Sequence, residues 1–253
     1  MKQFLPDHMR KLGELDISPI GLGTVKFGRN TNVKYPRPFP LPSLKDLKIF
    51  LETAKALGIN YIDTAPAYGE SEDRLGQLLG YERHDWIIST KVGEIYRGTS
   101  NFDFSFNHTQ LSIETSMKQL RTDYLDVVFV HCSNDDLHNL QYTDVIAALR
   151  RMQEKGYVRY VGASTKTLAG GYYALDNTDL VMITSEPNQI PILKKAWEKK
   201  TPTIIKKPLK GGFSKNIKAS IKKALSYPSV VSVVVGSINK RHLADNIKHA
   251  TSF

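Results

Sequence analysis

The chain has 253 residues, 41% hydrophobic and 24% charged, which suits one large globular core and includes no run near the ~20 apolar residues of a membrane helix. The single cysteine, Cys132, excludes an intramolecular disulfide and Cys-built metal clusters, and fits a reducing, cytoplasmic setting. The formal charge of +10 is uneven, with 14 Lys and Arg against 2 acidic residues from 191 to the end.

The N-terminal lead "MKQFLPDHMRK" has no apolar stretch of the kind that marks a signal peptide. "PIGLGT" (Pro19–Thr24) reads as a short Gly-rich strand. The loop after it carries Pro36, Pro38, Pro40 and Pro42, a density that forbids helix or central strand. Ser43 then suits an N-cap. Leu44, Leu47, Phe50, Leu51, Ala54 and Leu57 follow at helical spacing, and Gly58 stops the helix.

From there strands and helices alternate. "NYIDTA" is followed by the helix "SEDRLGQLLG", and "WIISTKVG" by a helix over about 108–121. "YLDVVFVH" precedes a helix over 143–155, and "YVRYVGAS" a short one near 168–175. "LVMITS" precedes a helix near 191–199, "TPTIIKKPL" one over 216–225, and "VVSVVVGS" the last, over 239–250. Several strands are apolar almost throughout, as parallel strands covered on both faces are. Alternating βα units imply a parallel sheet. Eight such units in a chain of about 250 residues predict a single-domain α/β chain, 1–253, folded as a (β/α)8 TIM barrel; an open sheet with fewer strands is the alternative.

In such a barrel, chemistry sits at the C-terminal ends of the strands. Asp63 ends strand two, with Tyr68 in the loop beyond it. Lys91 ends strand three, His131 strand four, and Ser164 with Thr165 strand five. Each has an ordinary structural explanation alone; together they form a coherent set. A free tyrosine has a pKa of about 10, and a nearby ammonium favours its phenolate. Asp63 can hold that ammonium in place, and a neutral imidazole can donate to a carbonyl oxygen. Tyr68 then protonates that oxygen as charge develops on it. This arrangement suits hydride addition to an aldehyde or ketone, with the hydride from a nicotinamide cofactor.

The segments "PIGLGT", "GINYIDTAPAYGESEDRLGQLL", "WIISTKVG", "LDVVFVH", "GYVRYVGAS", "KPLKGG" and "SVVVGSINKRHLADNI" resemble the aldo-keto reductase family from about Gly13 to the end. The resemblance implies a barrel that binds NADP(H) or NAD(H) in extended form, without a Rossmann domain. It implies that Asp63, Tyr68, Lys91 and His131 are the catalytic set, with Tyr68 as general acid and His131 orienting the carbonyl. It assigns cofactor contacts to Gly23, Thr24, Asp63, Ser164 and Thr165. It extends them to Lys206, Lys207, Pro208 and Leu209 after strand seven. Around strand eight it adds Gly236, Ser237, Asn239, Arg241, Asp245 and Asn246.

The sequence departs from the family pattern in places. Thr165 stands for the usual Asn, Met182 for the usual Gln, and Lys206 for the aromatic that stacks on nicotinamide. Lys206 or Lys207 meets the pyrophosphate instead, or neither meets a ligand. Gly236 replaces one usual 2′-phosphate contact and His242 stands near the other, with Lys240 and Arg241 as substitutes. NADP(H) is the preferred cofactor.

The basic final third is read as solvated lysines, as a grip on a polyanionic cofactor, or as a nucleic-acid or membrane surface; no nucleic-acid motif supports the last. The expected partner is a small carbonyl or alcohol substrate. The family's C-terminal tail is expected to be missing, since Phe253 follows the last helix. Phe27, the loop around Tyr35, and Tyr96, Phe102, Phe104 and Phe106 either line the pocket or pack on the barrel. Cys132 is expected to be structural. The alternative function is a cofactor-binding regulatory or assembly subunit with vestigial activity.

Overall fold

The computed structural model describes residues 8–33, 35–214 and 216–251. The lead before His8 and the chain end at Phe253 lie outside them. Eight parallel strands close into a barrel in chain order. They are β1 (Ile20–Gly23), β2 (Tyr61–Asp63), β3 (Ile87–Val92), β4 (Leu125–His131), β5 (Val158–Ser164), β6 (Leu180–Ile183), β7 (Thr203–Ile205) and β8 (Val230–Val235). β8 pairs back onto β1, with Val233 opposite Ile20 and Val235 opposite Leu22. Among the described residues no helix is long and apolar enough to cross a membrane.

Strand side chains alternate between the two faces, and that parity sorts the core into two layers. Tyr61, Ile87, Val127, Phe129, Leu180, Met182, Ile204 and Val234 fill the barrel interior. Ile62, Ile88, Val128, Val130, Val161, Val181, Ile205 and Val233 face the helices. Each buried aliphatic side chain contributes ~1.5–3 kcal/mol relative to exposure. Cys132 belongs to the outer layer and is 1% exposed. Burial pushes its thiol up to about 12, which fits the structural role.

The helices cover the outside. Ser43 caps the helix Leu44–Ala56, accepting from the Asp46 N–H. The expected helix near 108–121 spans Phe106–Leu120, with Ser105 as its cap. The last helix, Lys240–Ala250, is capped by Asn239.

Elements not expected from the sequence include a short helix, Val25–Gly28, at the start of the stretch read as a loop. An antiparallel hairpin, Arg10–Leu12 with Leu15–Ile17, sends Leu12 and Ile17 into the inner layer. A second hairpin pairs Glu94–Tyr96 with Ser100–Phe102. A short helix, Asp136–Gln141, precedes the helix Val145–Glu154. The strand expected through Leu209 ends at Ile205.

Candidate active site

Inward parity carries the polar residues to one rim. Tyr61 and Asp63 alternate inward on β2, and Ser89 and Lys91 on β3. Asp63 pairs with Ser89, so Lys91 stands one inward step above it. Lys91 Nζ lies 2.7 Å from Asp63 Oδ1 and donates to the Thr64 carbonyl at 2.7 Å. Lys91 is 2% exposed and Asp63 4%. Ser89 donates to the same Asp63 oxygen at 2.8 Å, and Tyr61 OH shares a 2.8 Å hydrogen bond with Ser89 Oγ. The ion pair is therefore buried and fully engaged, the condition under which such a pair holds.

Tyr68 ends the 3-10 turn Pro66–Tyr68. The next residue, Gly69, has φ +64, and a Cβ there would lie 2.3 Å from the Gly28 carbonyl oxygen. Arg29 pins the same turn by donating to the Ala67 carbonyl at 3.0 Å. These contacts hold the phenol over the rim. Lys91 Nζ is 4.8 Å from the centre of its ring, and the His131 ring meets it edge-on at 6.4 Å between centroids.

Lys91 was expected to draw Tyr68 toward phenolate. The direction is the reverse: burial first, then the charges of Asp63 and Glu94, raise its pKa well above the ordinary value. Burial outweighs the pull of the ammonium, and the phenol stays protonated at neutral pH.

The structure adds a residue that sequence reasoning missed. β3 leads into Gly93, whose φ of +102 and whose contact with the Phe104 ring leave no room for a side chain. The turn swings Glu94 over the mouth. Its Oε2 lies 2.7 Å from His131 Nδ1, off the axis of an aligned hydrogen bond. Ser100 donates to its Oε1 at 2.6 Å. Burial alone would raise the Glu94 carboxyl, but His131, Ser100 and Arg29 outweigh it and hold it at about 2. Burial lowers the His131 pKa, and Glu94 opposes that shift.

Lys206 follows Ile204 on the inward side of β7. It donates to Ser164 Oγ at 2.8 Å and to the Thr165 carbonyl at 2.9 Å. Burial, aided by the like charges of Lys207, Lys166 and Lys91, lowers it to about 7. Thr165 Oγ1 is buried beside it without a partner. Met182 packs in the inner layer at 1% exposure.

The remaining cofactor candidates divide. Gly23 and Gly236 meet at the mouth, and a Cβ on Gly236 would lie 2.9 Å from Tyr35 OH. Thr24 is buried, with its hydroxyl donated to the Asp63 carbonyl at 3.0 Å. Ser237 and Asn239 bond locally at the start of the last helix, and Asn239 Oδ1 accepts from the Arg241 N–H. Asp245 pairs with Lys248 at 3.6 Å, and Asn246 is buried.

Of the aromatics read as lining the pocket or packing on the barrel, Phe27 belongs to the outer core, edge-on to Phe50 at 6.0 Å. Phe104 lies under Gly93 and stacks on the more exposed Phe102. Tyr96 carries the Arg29 guanidinium 3.3 Å from its ring centre. Tyr35 receives Lys26 at 4.2 Å.

A closed eight-stranded barrel, with a buried Asp–Lys pair below a protonated tyrosine and a histidine at its rim, defines the class of protein. The chain belongs to the aldo/keto reductase family, whose pattern matches residues 19–220. It is similar to a solved structure from Pseudomonas aeruginosa assigned to the aldo-keto reductases, with 42% identity, TM-score 0.90, and coverage of 98% of this chain and 96% of that one. It is 34% identical over 163 residues to the uncharacterized oxidoreductase YqkF of Bacillus subtilis, covering 62% of this chain and 48% of that protein. It is 32% identical over 177 residues to L-galactose dehydrogenase of Arabidopsis thaliana, covering 66% and 51%. The chain thus spans about half the length of these curated relatives.

Proposed function

We propose that the protein is an NADP(H)-preferring oxidoreductase that reduces an aldehyde or ketone to an alcohol, or runs the reverse, in a cytoplasmic setting. The observation that carries this reading is the Tyr68 phenol held over the buried Lys91–Asp63 pair, with His131 at its edge.

A nicotinamide dinucleotide supplies the hydride when bound. The donor set suits such a polyanion. Lys206 bonds only neutral acceptors and has Lys207 and Lys166 as charged neighbours. Lys240 and Arg241 open the last helix, where positive side chains and the helix dipole both favour phosphate. Ser164 and Lys206 would hold the nicotinamide end, Gly23 and Gly236 would leave it room, and Lys207, Lys240 and Arg241 would meet phosphates.

Tyr68 is kept protonated by burial and by the charges of Asp63 and Glu94. It gives its proton to the carbonyl oxygen as negative charge gathers there, so donation is strongest in the transition state. Lys91, fixed by Asp63, places a positive charge beside the tyrosinate that forms. His131 orients the carbonyl.

Calorimetric titration with NADPH and NADH, side by side, tests the cofactor half. Tighter binding of NADPH supports the reading; binding of neither contradicts it.

A further inference from the structure

The two sides of the barrel mouth differ in how their cations are balanced. On one side Tyr68 stands near Lys91, whose charge is met by Asp63 at 2.7 Å. β7 lies across the closed barrel from β3. Ile204 on β7 and Ser164 on β5 are both register partners of Met182, and Lys206 stands one inward step above that layer. Its ammonium donates to Ser164 Oγ at 2.8 Å and to the Thr165 carbonyl at 2.9 Å. The groups acting on it are Lys207 next in the chain, the Cys132 thiol after β4, Lys166 after β5 and Lys91 on β3. It acts in turn on His131 at the end of β4. Lys166 is turned to Asn134, and the His131 ring faces Glu94. Lys206 is thus a cation of the mouth held by neutral oxygens, with like charges as its neighbours.

Hydride transfer changes the charge of a nicotinamide ring by one. The reduced ring is neutral and the oxidised ring is a cation. The ring must reach the carbon whose oxygen Tyr68 protonates, so the positive charge arises in this mouth. Like charges in such a shielded space repel strongly. The ammonium escapes that repulsion by releasing its proton to water. Burial and its charged neighbours have already lowered it to about 7, where release is easy.

We propose that Lys206 sets the redox-state preference of the site, its charge selecting the reduced, neutral nicotinamide over the oxidised, cationic one. It rests on the reading of this site as a nicotinamide-dependent reductase. The oxidised form binds as Lys206 gives its proton to solvent; the carbonyl oxygen takes its own proton from Tyr68. Below neutral pH, where the ammonium is full, the oxidised cofactor is held more weakly.

The test is equilibrium titration of the full chain with NADPH and NADP+, with NADH and NAD+ alongside, at pH 6 and pH 8.5. Wild type, Lys206→Met and Lys206→Arg are compared. The two members of a pair carry the same phosphates, so the ratio of their Kd values isolates the charge of the ring. A lysine titrating at about 7 is roughly nine-tenths protonated at pH 6 and almost wholly neutral at pH 8.5. The wild-type preference for the reduced form should therefore be about tenfold stronger at pH 6 than at pH 8.5. Lys206→Met keeps His131 and should lose that pH dependence. Lys206→Arg, charged at both pH values, should keep the preference at both, and it decides alone if the Met variant binds too weakly to measure. A wild-type ratio that does not move with pH, or a movement that persists in either variant, overturns the proposal and leaves the dinucleotide reading standing. Binding of neither pair by wild type overturns both.

Discussion

Lys206 Nζ donates to Ser164 Oγ at 2.8 Å, tying the chain beyond β7 to the end of β5. Both of its hydrogen-bond acceptors are neutral oxygens. A lysine buried this way is lowered from 10.5 to about 7. The unfolded chain keeps that proton through this range, so it binds more protons than the folded chain between the two values. Stability therefore rises with pH from about 7 toward 10.5 and falls as pH drops through 7. Lys206→Met should remove this slope, so that urea unfolding at pH 6.5 and pH 9 shows the variant gaining on wild type at the lower pH. The same variant should bind NADPH roughly tenfold more weakly, the scale of one lost charged hydrogen bond.

Glu72 has the opposite sign. It is fully buried behind β3, accepting from Thr90 and, at 3.2 Å, from Ser116. Burial raises it to about 7. The folded chain binds the extra proton between the ordinary carboxyl range and pH 7, so stability falls as pH rises through that window. The loss is on the order of 3 kcal/mol. Glu72→Gln should flatten the profile, and its urea midpoint should exceed wild type most clearly at pH 8.

Lys91→Met should destabilise the chain by about 3–5 kcal/mol, because Asp63 is left buried and charged. Asp63→Asn together with Lys91→Met should recover much of that loss while leaving the site inactive. Denaturation midpoints for the single and double variants check this.

A second buried pair gives a prediction away from the site. Asp126 lies 2.8 Å from Arg83 and 2.9 Å from Arg159, and its side chain is 2% exposed. Asp126→Ala should cost about 3–5 kcal/mol by stranding Arg83. Arg159→Ala should cost under about 1 kcal/mol, because that side chain is half exposed.

The parts legible in the sequence were those encoded locally. "YLDVVFVH" announces a covered parallel strand through its β-branched run, and Ser43 with the periodic leucines after it announces a capped helix. The strand-end rule then selects Asp63, Lys91 and His131 from many polar residues. What stayed hidden depends on contacts distant in sequence. Glu94 follows a strand and reads as a solvated turn residue; only the turn at Gly93 brings it to His131. Both hairpins have arms of three residues, too short to show a strand's alternation. Phe27 could be placed at the pocket or in the core, and Phe50, on the helix after the proline-rich loop, decides for the core. The direction of the Tyr68 shift was missed because the sequence reveals a lysine nearby but not the burial of the phenol or the carboxylate of Glu94 beside it.

In the proposed reaction Tyr68 donates the proton that completes carbonyl reduction. The most direct test of that step is steady-state NADPH consumption over a panel of aldehydes, wild type against Tyr68→Phe, with cofactor binding measured on both. The expected result is unchanged NADPH affinity and a kcat lower by roughly 10²–10⁴-fold. Equal turnover by the two proteins would contradict the claim.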